Sequence, residues 1–208
     1  MRSDSPGWPV TLAHGSVGVR PLRRSDAGAW SEIRLANEAW LTPWESTTAG
    51  PRSSYASRHT PAAYITLWRS LRKAARSGNH LPFGITLDGR LVGQVSAGNV
   101  VRGSFNSCYL GSWIDGRVAG RGIATLAVAL VTDHCFGAAR LHRVEANVRP
   151  ENAASRRLLE KLAFRAEGLH RNYLLIDGLY RDHLGYALTA EEHPGGVLAR
   201  YLASRATT

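Results

Sequence analysis

The segment Arg117-Val118-Ala119-Gly120-Arg121-Gly122 joins a stretch patterned as a strand, residues 107–114, to one patterned as a helix, residues 123–138. Glycines at such a junction let the backbone turn with its amides aimed inward, at the positive end of the helix that follows, which makes a site for phosphate. A tight strand-to-helix turn selects glycine as well, so the loop needs its context. Two common nucleotide-binding arrangements are excluded by the residues: no Lys-Ser/Thr pair ends the loop, and no GxGxxG with an acidic ribose partner is present.

Upstream of the loop, residues 17–22 alternate as a strand, and Ser25-Asp26 caps a helix carrying Ala29, Trp30, Ile33 and Ala36. Thr60-Pro61 opens a second helix with Tyr64, Ile65, Trp68 and Leu71, ending near Gly78. Residues 82–87 and 91–101 read as a hairpin across Asp88-Gly89. Downstream, 141–148 is a strand, 152–163 a helix with Leu158, Leu159 and Leu162 inward, and 165–176 and 179–188 a hairpin across Asp177-Gly178. The expected order is β-α-α-β-β-β-α-β-α-β-β in one domain over residues 16–190. A flexible N-terminal segment, 1–15, precedes it, and 191–208 is expected to be a C-terminal tail or short helix.

Composition bounds the function. With 44% hydrophobic and 20% charged residues the chain is expected to fold as a soluble globular protein. No apolar run approaches the about 20 residues of a membrane span, and no export signal is visible, so a cytoplasmic protein without a membrane partner is expected. Cys108 and Cys135 lack metal-ligand spacing, so no metal is expected and both are read as reduced thiols. The net charge of +10 favours a polyanionic partner. The excess is mostly dispersed arginine rather than a basic block with interleaved aromatics, which argues against direct sequence-specific nucleic-acid binding.

Arg-x-x-Gly-x-Gly after a strand and opening a helix resembles the acetyl-CoA pyrophosphate loop of the GNAT acetyltransferases. The resemblance continues through residues 141–164, LHRVEANVRPENAASRRLLEKLAF, which look like that family's next strand and pantetheine-contacting helix, with Asn152 and Ser155 at fitting spacing. Tyr-Leu-Leu-Ile-Asp-Gly followed by Tyr-Arg-Asp-His, within 165–188, and Leu41-Thr-Pro-Trp-Glu45 resemble the RimJ/RimL-type ribosomal-protein alanine N-acetyltransferases. The likeness spans about residues 16–189, and motifs in the correct order are more specific than any one of them. Ala163 departs from it, standing where the family usually has glycine.

The resemblance implies an α+β GNAT fold: a mixed, mostly antiparallel sheet of six to seven strands, flanked by about four helices, with splayed central strands that admit acetyl-CoA. It implies that the strand end Trp113 and Ile114, the loop Arg117, Val118, Ala119, Gly120, Arg121 and Gly122, and the helix start Ile123 and Ala124 hold the cofactor. An amide near Ile114 then faces the thioester carbonyl. Asn152 contacts pantetheine and Ser155 assists the departing thiolate, with Tyr173 as an alternative acid. Each has a bland role beside it, since Asn152 after Pro150 is an ordinary helix cap and Ser155 can bond within the first turn.

Asn147 stands where many family members carry a catalytic glutamate, and an amide is no useful base at pH 7. Glu145, two residues earlier and on the same sheet face, is the leading base candidate, its plain alternative being an ion pair with an arginine. Trp40, Trp44 and Glu45 are candidate acceptor-binding residues. Asp182 and His183 are read as organising a loop. The expected activity is acetyl transfer to the α-amine of a protein N-terminus, an alanine or serine start on a ribosomal protein. A small-amine acetyltransferase for aminoglycosides or polyamines is the alternative enzyme, and an acyl-CoA sensor or ribosome-associated module the alternative without turnover. Nothing in the sequence fixes the oligomeric state.

Overall fold

The computed structural model describes residues 6–47 and 53–206. Its strands are β1 Leu12–His14, β2 Val17–Pro21, β3 Leu81–Leu87, β4 Arg90–Val101, β5 Ser107–Ile114, β6 Arg143–Val148, β7 Arg165–Ile176 and β8 Leu179–Thr189. Its α-helices are α1 Ala27–Ala36, α2 Glu38–Leu41, α3 Tyr55–Arg58, α4 Pro61–Arg76, α5 Ile123–Phe136, α6 Ala153–Lys161 and α7 Val197–Ala206. The strands make one sheet in the order β1-β2-β3-β4-β5-β6-β8-β7. Every pairing is antiparallel except β5 with β6.

That parallel pair decides where a ligand can enter. It holds only at Ser107↔Arg143, Cys108↔Val144 and Tyr109↔Glu145. Beyond those positions β5 runs on to Ile114 beside β4 alone, and β6 runs on to Val148 beside β8 alone. The two strands therefore part in the middle of the sheet and leave backbone groups unpaired along a cleft.

Each face of the sheet has its own core. On one, α5 packs over Val19, Phe83, Val95, Cys108 and Val144, joined by Leu159 of α6, by Leu162 at its C-cap and by Val197 and Tyr201 of α7. Helix α5 is buried almost all round, which fits a helix whose residues are nearly all apolar. On the other face Trp30 and Ile33 of α1, Tyr64 of α4 and Leu91 of β4 form a smaller cluster with Trp113 against it. The Tyr64 hydroxyl donates to the Arg23 carbonyl at 2.7 Å and Trp68 Nε1 to the Leu22 carbonyl at 3.0 Å, tying α4 to the end of β2.

The expected mixed α+β architecture with splayed strands is present, with eight strands among the described residues where six to seven were expected and seven α-helices where about four were. The added strand is β1, which pairs with β2 although residues 1–15 read as a flexible segment. Three residues are too few to show periodicity, and the segment is held by tertiary packing: Trp8 lies edge-on to Phe83 with ring centroids 5.0 Å apart. Helices α2 and α3 are single turns of four residues each, too short to show a helical period. The C-terminal segment forms α7, its start fixed by Asp133, whose Oδ1 accepts from the Val197 amide at 2.6 Å and Oδ2 from the Leu198 amide at 3.0 Å.

Cys108 and Cys135, far apart in sequence, are both buried, their sulfurs 3.9 Å apart as free thiols. Hydrogen bonding to Cys108 and burial raise the Cys135 thiol well above its usual range. Among the described residues no cluster is suited to hold a metal, and no helix is long and apolar enough to cross a membrane.

Candidate active site

The glycine loop lies at the far end of the parted β5. Gly120 and Gly122 adopt φ of 78° and 79°, the left-handed region that side chains resist. Gly122 is the N-cap of α5 and has no side chain with which to cap it. The first helical amide taken up within α5 is that of Leu126, which donates to the Gly122 carbonyl at 3.0 Å. The amides of Ile123, Ala124 and Thr125 therefore stay open at the positive end of the helix.

The strand-to-loop junction is locked by Asp115. Asn37 Nδ2 donates to Asp115 Oδ1 at 3.0 Å, and Asn37 Oδ1 accepts from the Gly116 amide at 2.8 Å. Arg117 donates to Asp115 Oδ1 through its backbone amide at 3.0 Å and to Oδ2 through Nε at 2.8 Å. Burial alone would raise the Asp115 carboxyl, but the hydrogen bonds from Arg117 and Asn37 outweigh it and hold the carboxyl below its ordinary value. The Arg117 guanidinium also pairs with Glu32 at 2.8 Å. This residue, expected in the phosphate site, points its charge back at the junction.

Strand β5 offers the cleft its backbone. The Asp115 amide donates to the Val92 carbonyl at 2.8 Å. By the alternation of an antiparallel ladder, Trp113 and Gly111 then face β4 with their polar groups while Ile114, Ser112 and Leu110 face the cleft. Trp40 confirms this direction, donating from Nε1 to the Ile114 carbonyl at 3.2 Å. Gly93 is required on the β4 side, because a Cβ there would stand 2.4 Å from the Trp113 carbonyl oxygen.

One cavity of about 1050 Å³ runs from this loop to the opposite face of the sheet. Its wall includes Trp113, Ile114, Val118, Ala119, Gly120, Gly122, Ile123 and Ala124, the α6 N-cap Asn152, and from α6 Ser155, Arg157 and Lys161. Asn152 caps α6, its Oδ1 accepting from the Ser155 amide at 3.0 Å, so the ordinary capping role and a place in the wall coexist. Arg117 and Arg121 are not part of the wall; Arg121 is exposed.

At the other end the wall is made by Trp40, Trp44 and Glu45, the three candidate acceptor residues, together with Arg34 and His59. The guanidinium of Arg34 pairs with Glu45, and its Nη2 lies 2.8 Å from His59 Nε2. His59 Nδ1 sits 2.8 Å from the Tyr55 carbonyl, and its Nε2 lies 3.5 Å from Glu45 Oε1 as well as beside Arg34. Arg34 is almost fully buried, 4% exposed, with its Cζ 5.1 Å from the ring centre of Trp113 and 5.7 Å from that of Trp30. Burial raises the Glu45 carboxyl, and the hydrogen bond to His59 and the charge of Arg34 more than reverse this, keeping Glu45 ionised below its usual value. Trp44 is fixed from outside by Arg149, whose Nη1 donates to the Pro43 carbonyl at 2.8 Å with Cζ 5.5 Å from the Trp44 ring centre.

Glu145 and Tyr173 lie apart from this wall. Glu145 shares the β6 face of Asn147, as period two requires, but its Oε1 accepts from Arg143 Nε at 2.5 Å, and Arg143 also pairs with Glu167. Tyr173 accepts at its hydroxyl from Asn147 Nδ2 at 3.3 Å. Tyr109, which no sequence pattern singled out, completes that group: burial and the Glu145 carboxylate raise its hydroxyl far above the usual range. Arg34 and His59 were likewise unmarked. Arg34 lies within α1 and His59 caps the single turn α3, positions where a polar side chain ordinarily faces solvent.

The residues present fit an acetyl-CoA diphosphate at the loop: open helix-start amides, two left-handed glycines and the cations Arg157 and Lys161 in one wall. The comparisons with known proteins agree. The description "Acetyltransferase (GNAT) domain" matches residues 16–165. An Escherichia coli (strain K12) protein named [ribosomal protein uS5]-alanine N-acetyltransferase is 31% identical over 201 residues, covering 94% of this chain and 97% of its own. Mycobacterium smegmatis RimJ, solved in complex with CoA-disulfide, is 46% identical, with a TM-score of 0.92 over 96% of each chain. The ribosomal-protein-S5-alanine acetyltransferase of Vibrio fischeri is 28% identical, with a TM-score of 0.77 over 86% of this chain and 96% of its own. With the parted strands, the glycine loop and the helix-start amides in register with that match, the chain belongs to the GNAT family of acetyl-CoA-dependent N-acetyltransferases.

Proposed function

We propose that this chain acetylates the α-amine of a protein N-terminus, an alanine or serine start on a ribosomal protein. The observation that carries the proposal is that one cavity joins the glycine loop to Glu45, Trp40 and Trp44 on the opposite face of the sheet. Acetyl-CoA, when bound, supplies an activated acetyl thioester at the parted strands. The cleft-facing amides of β5 are placed to hold its carbonyl oxygen, and Ser155 Oγ, in the first turn of α6, holds a proton for the departing group.

Glu45 suits an α-amine better than a lysine. Kept ionised, it attracts an ammonium but is a weak base, and an α-amine with a pKa of about 7.7–8.0 is already about a tenth neutral at pH 7, whereas lysine at about 10.4 is not. Trp40 and Trp44 flank it as a slot for a small first side chain. The cavity wall sets two carboxylates, Glu45 and Glu151, against Arg34, Arg58, Arg157 and Lys161, a balance that repels polyamines and aminoglycosides. The names of the E. coli and V. fischeri relatives support the ribosomal acceptor.

The test is acetyl transfer from labelled acetyl-CoA to peptides starting with Ala, Ser, Thr and Met, beside peptides whose only amine is lysine and beside aminoglycosides. Labelling confined to the α-amine of Ala and Ser peptides is expected. Labelling of aminoglycosides alone would move the chain to small-amine chemistry, and CoA binding without any transfer would make it a sensor.

A further inference from the structure

Helix α7 lies outside the residues matched as the acetyltransferase domain, 16–165, yet it is built into the molecule. Asp133, near the end of α5, caps its first turn, and Val197 and Tyr201 are buried in the main core at 1% and 5% exposure. Helix α7 thus begins beside the last turn of α5 and ends beside the first. Arg205 follows Tyr201 by four residues and shares its face.

That face ends at the glycine loop. A Cβ placed on Gly122 would stand 3.6 Å from the Tyr201 hydroxyl and 4.0 Å from Arg205 Nη1. Among the described residues Arg205 has no acidic partner, unlike Arg117, Arg143 and Arg165, each of which is paired. In the last turn of α7 an arginine complements that helix's own dipole, which any outward direction would serve. Its direction toward the open, positive start of α5 is unfavourable until an anion lies there.

We propose that Arg205, with the Tyr201 hydroxyl beside it, is a further binding residue for the CoA diphosphate, so that α7 adds a cation to the phosphate site next to Gly122. The inference rests on the cofactor reading of the loop. It explains why Arg117 can be given to the junction: the charge the loop loses there is returned by a helix from the end of the chain.

Isothermal titration of the whole protein with CoA and with dephospho-CoA, which lacks the 3′-phosphate but keeps the diphosphate, tests it. Arg205→Gln is expected to weaken both ligands by about tenfold and to flatten the salt dependence of binding, while Arg205→Lys keeps most of the affinity. Because Arg205 is exposed, the variants should unfold at the wild-type temperature, which a thermal melt checks. Unchanged affinity in Arg205→Gln overturns the inference, and so does a loss for CoA with none for dephospho-CoA, which would give Arg205 to the 3′-phosphate. Failure of the wild type to bind CoA at all would overturn the cofactor reading itself.

Discussion

Glu45 is one of the few carboxylates in a basic cavity, and it is already committed to Arg34 and His59. Both partners are buried, so the group is oriented before any acceptor arrives, and no side-chain entropy is lost on binding. Replacing it with Gln keeps the shape and removes the charge. Glu45→Gln is expected to raise the KM for an Ala-start peptide about tenfold while the KM for acetyl-CoA stays unchanged, measured by steady-state kinetics with each substrate varied. Glu145→Gln is the control, since its carboxylate is taken up by Arg143 outside the cavity wall and the peptide KM should hold. A larger effect at Glu145 than at Glu45 would reverse the proposed assignment. The sequence offered both glutamates, and only the geometry separates them: a period-two pattern says which face a side chain takes, not which neighbour takes the side chain.

Among the elements, α6 shows how a family departure reads in three dimensions. The helix closes with the Phe164 amide donating to the Leu159 carbonyl at 2.9 Å and the Ala163 amide to the Glu160 carbonyl at 2.9 Å, a Schellman ending. That ending needs a left-handed residue at position 163, and Ala163 takes it at φ 60°. Alanine there costs about 1–2 kcal/mol against the right-handed conformation, partly offset by the greater chain entropy of glycine. Ala163→Gly is therefore expected to stabilise the fold by about 0.5–1 kcal/mol, read as a higher urea midpoint at unchanged slope. A lower midpoint would mean that the methyl group contributes more by packing than its backbone costs. Elements with long periodic patterns, α4, α5 and α6, were legible from the chain within a residue or two. The short ones, β1, α2 and α3, were not, because a single turn or three strand residues carry no period and exist only through what they pack against.

Across the whole molecule the shifted histidines and carboxylates all lie below their ordinary values. Burial lowers His80, His134 and His183 below the ordinary histidine value, so the fold holds them neutral. The unfolded chain binds protons at about pH 6.5, so their contribution to stability is full above that pH and is lost as pH falls toward the folded values. Glu45 and Asp115 are also lowered, but from carboxylate values, so theirs persists to about pH 4 and is lost only as pH falls through their folded values. Thermal melts from pH 8 to 3 should show a first decline beginning near pH 6.5 and a steeper one below about 4. His134→Asn should flatten the first decline. A melting temperature constant between pH 8 and 5 would show that these rings ionise without cost in the fold.

By itself the sequence determined the glycine loop, the strand and helix it joins, the α6 motif and the order of the long elements, because each depends on residues a few positions apart whose periodicity or turn chemistry is local. From these came the family, the cofactor and the parted strands. The tertiary structure alone decided which charges are free to act. Arg117 reads as a phosphate ligand until Asp115 and Glu32 are seen to hold it. Arg34 and His59 carry no signal until chain folding brings them to Glu45, and Arg205, at the far end of the chain, meets Gly122 only because α7 lies along α5. A side chain's partner is set by distance in space, and between residues far apart along the chain no local pattern records it.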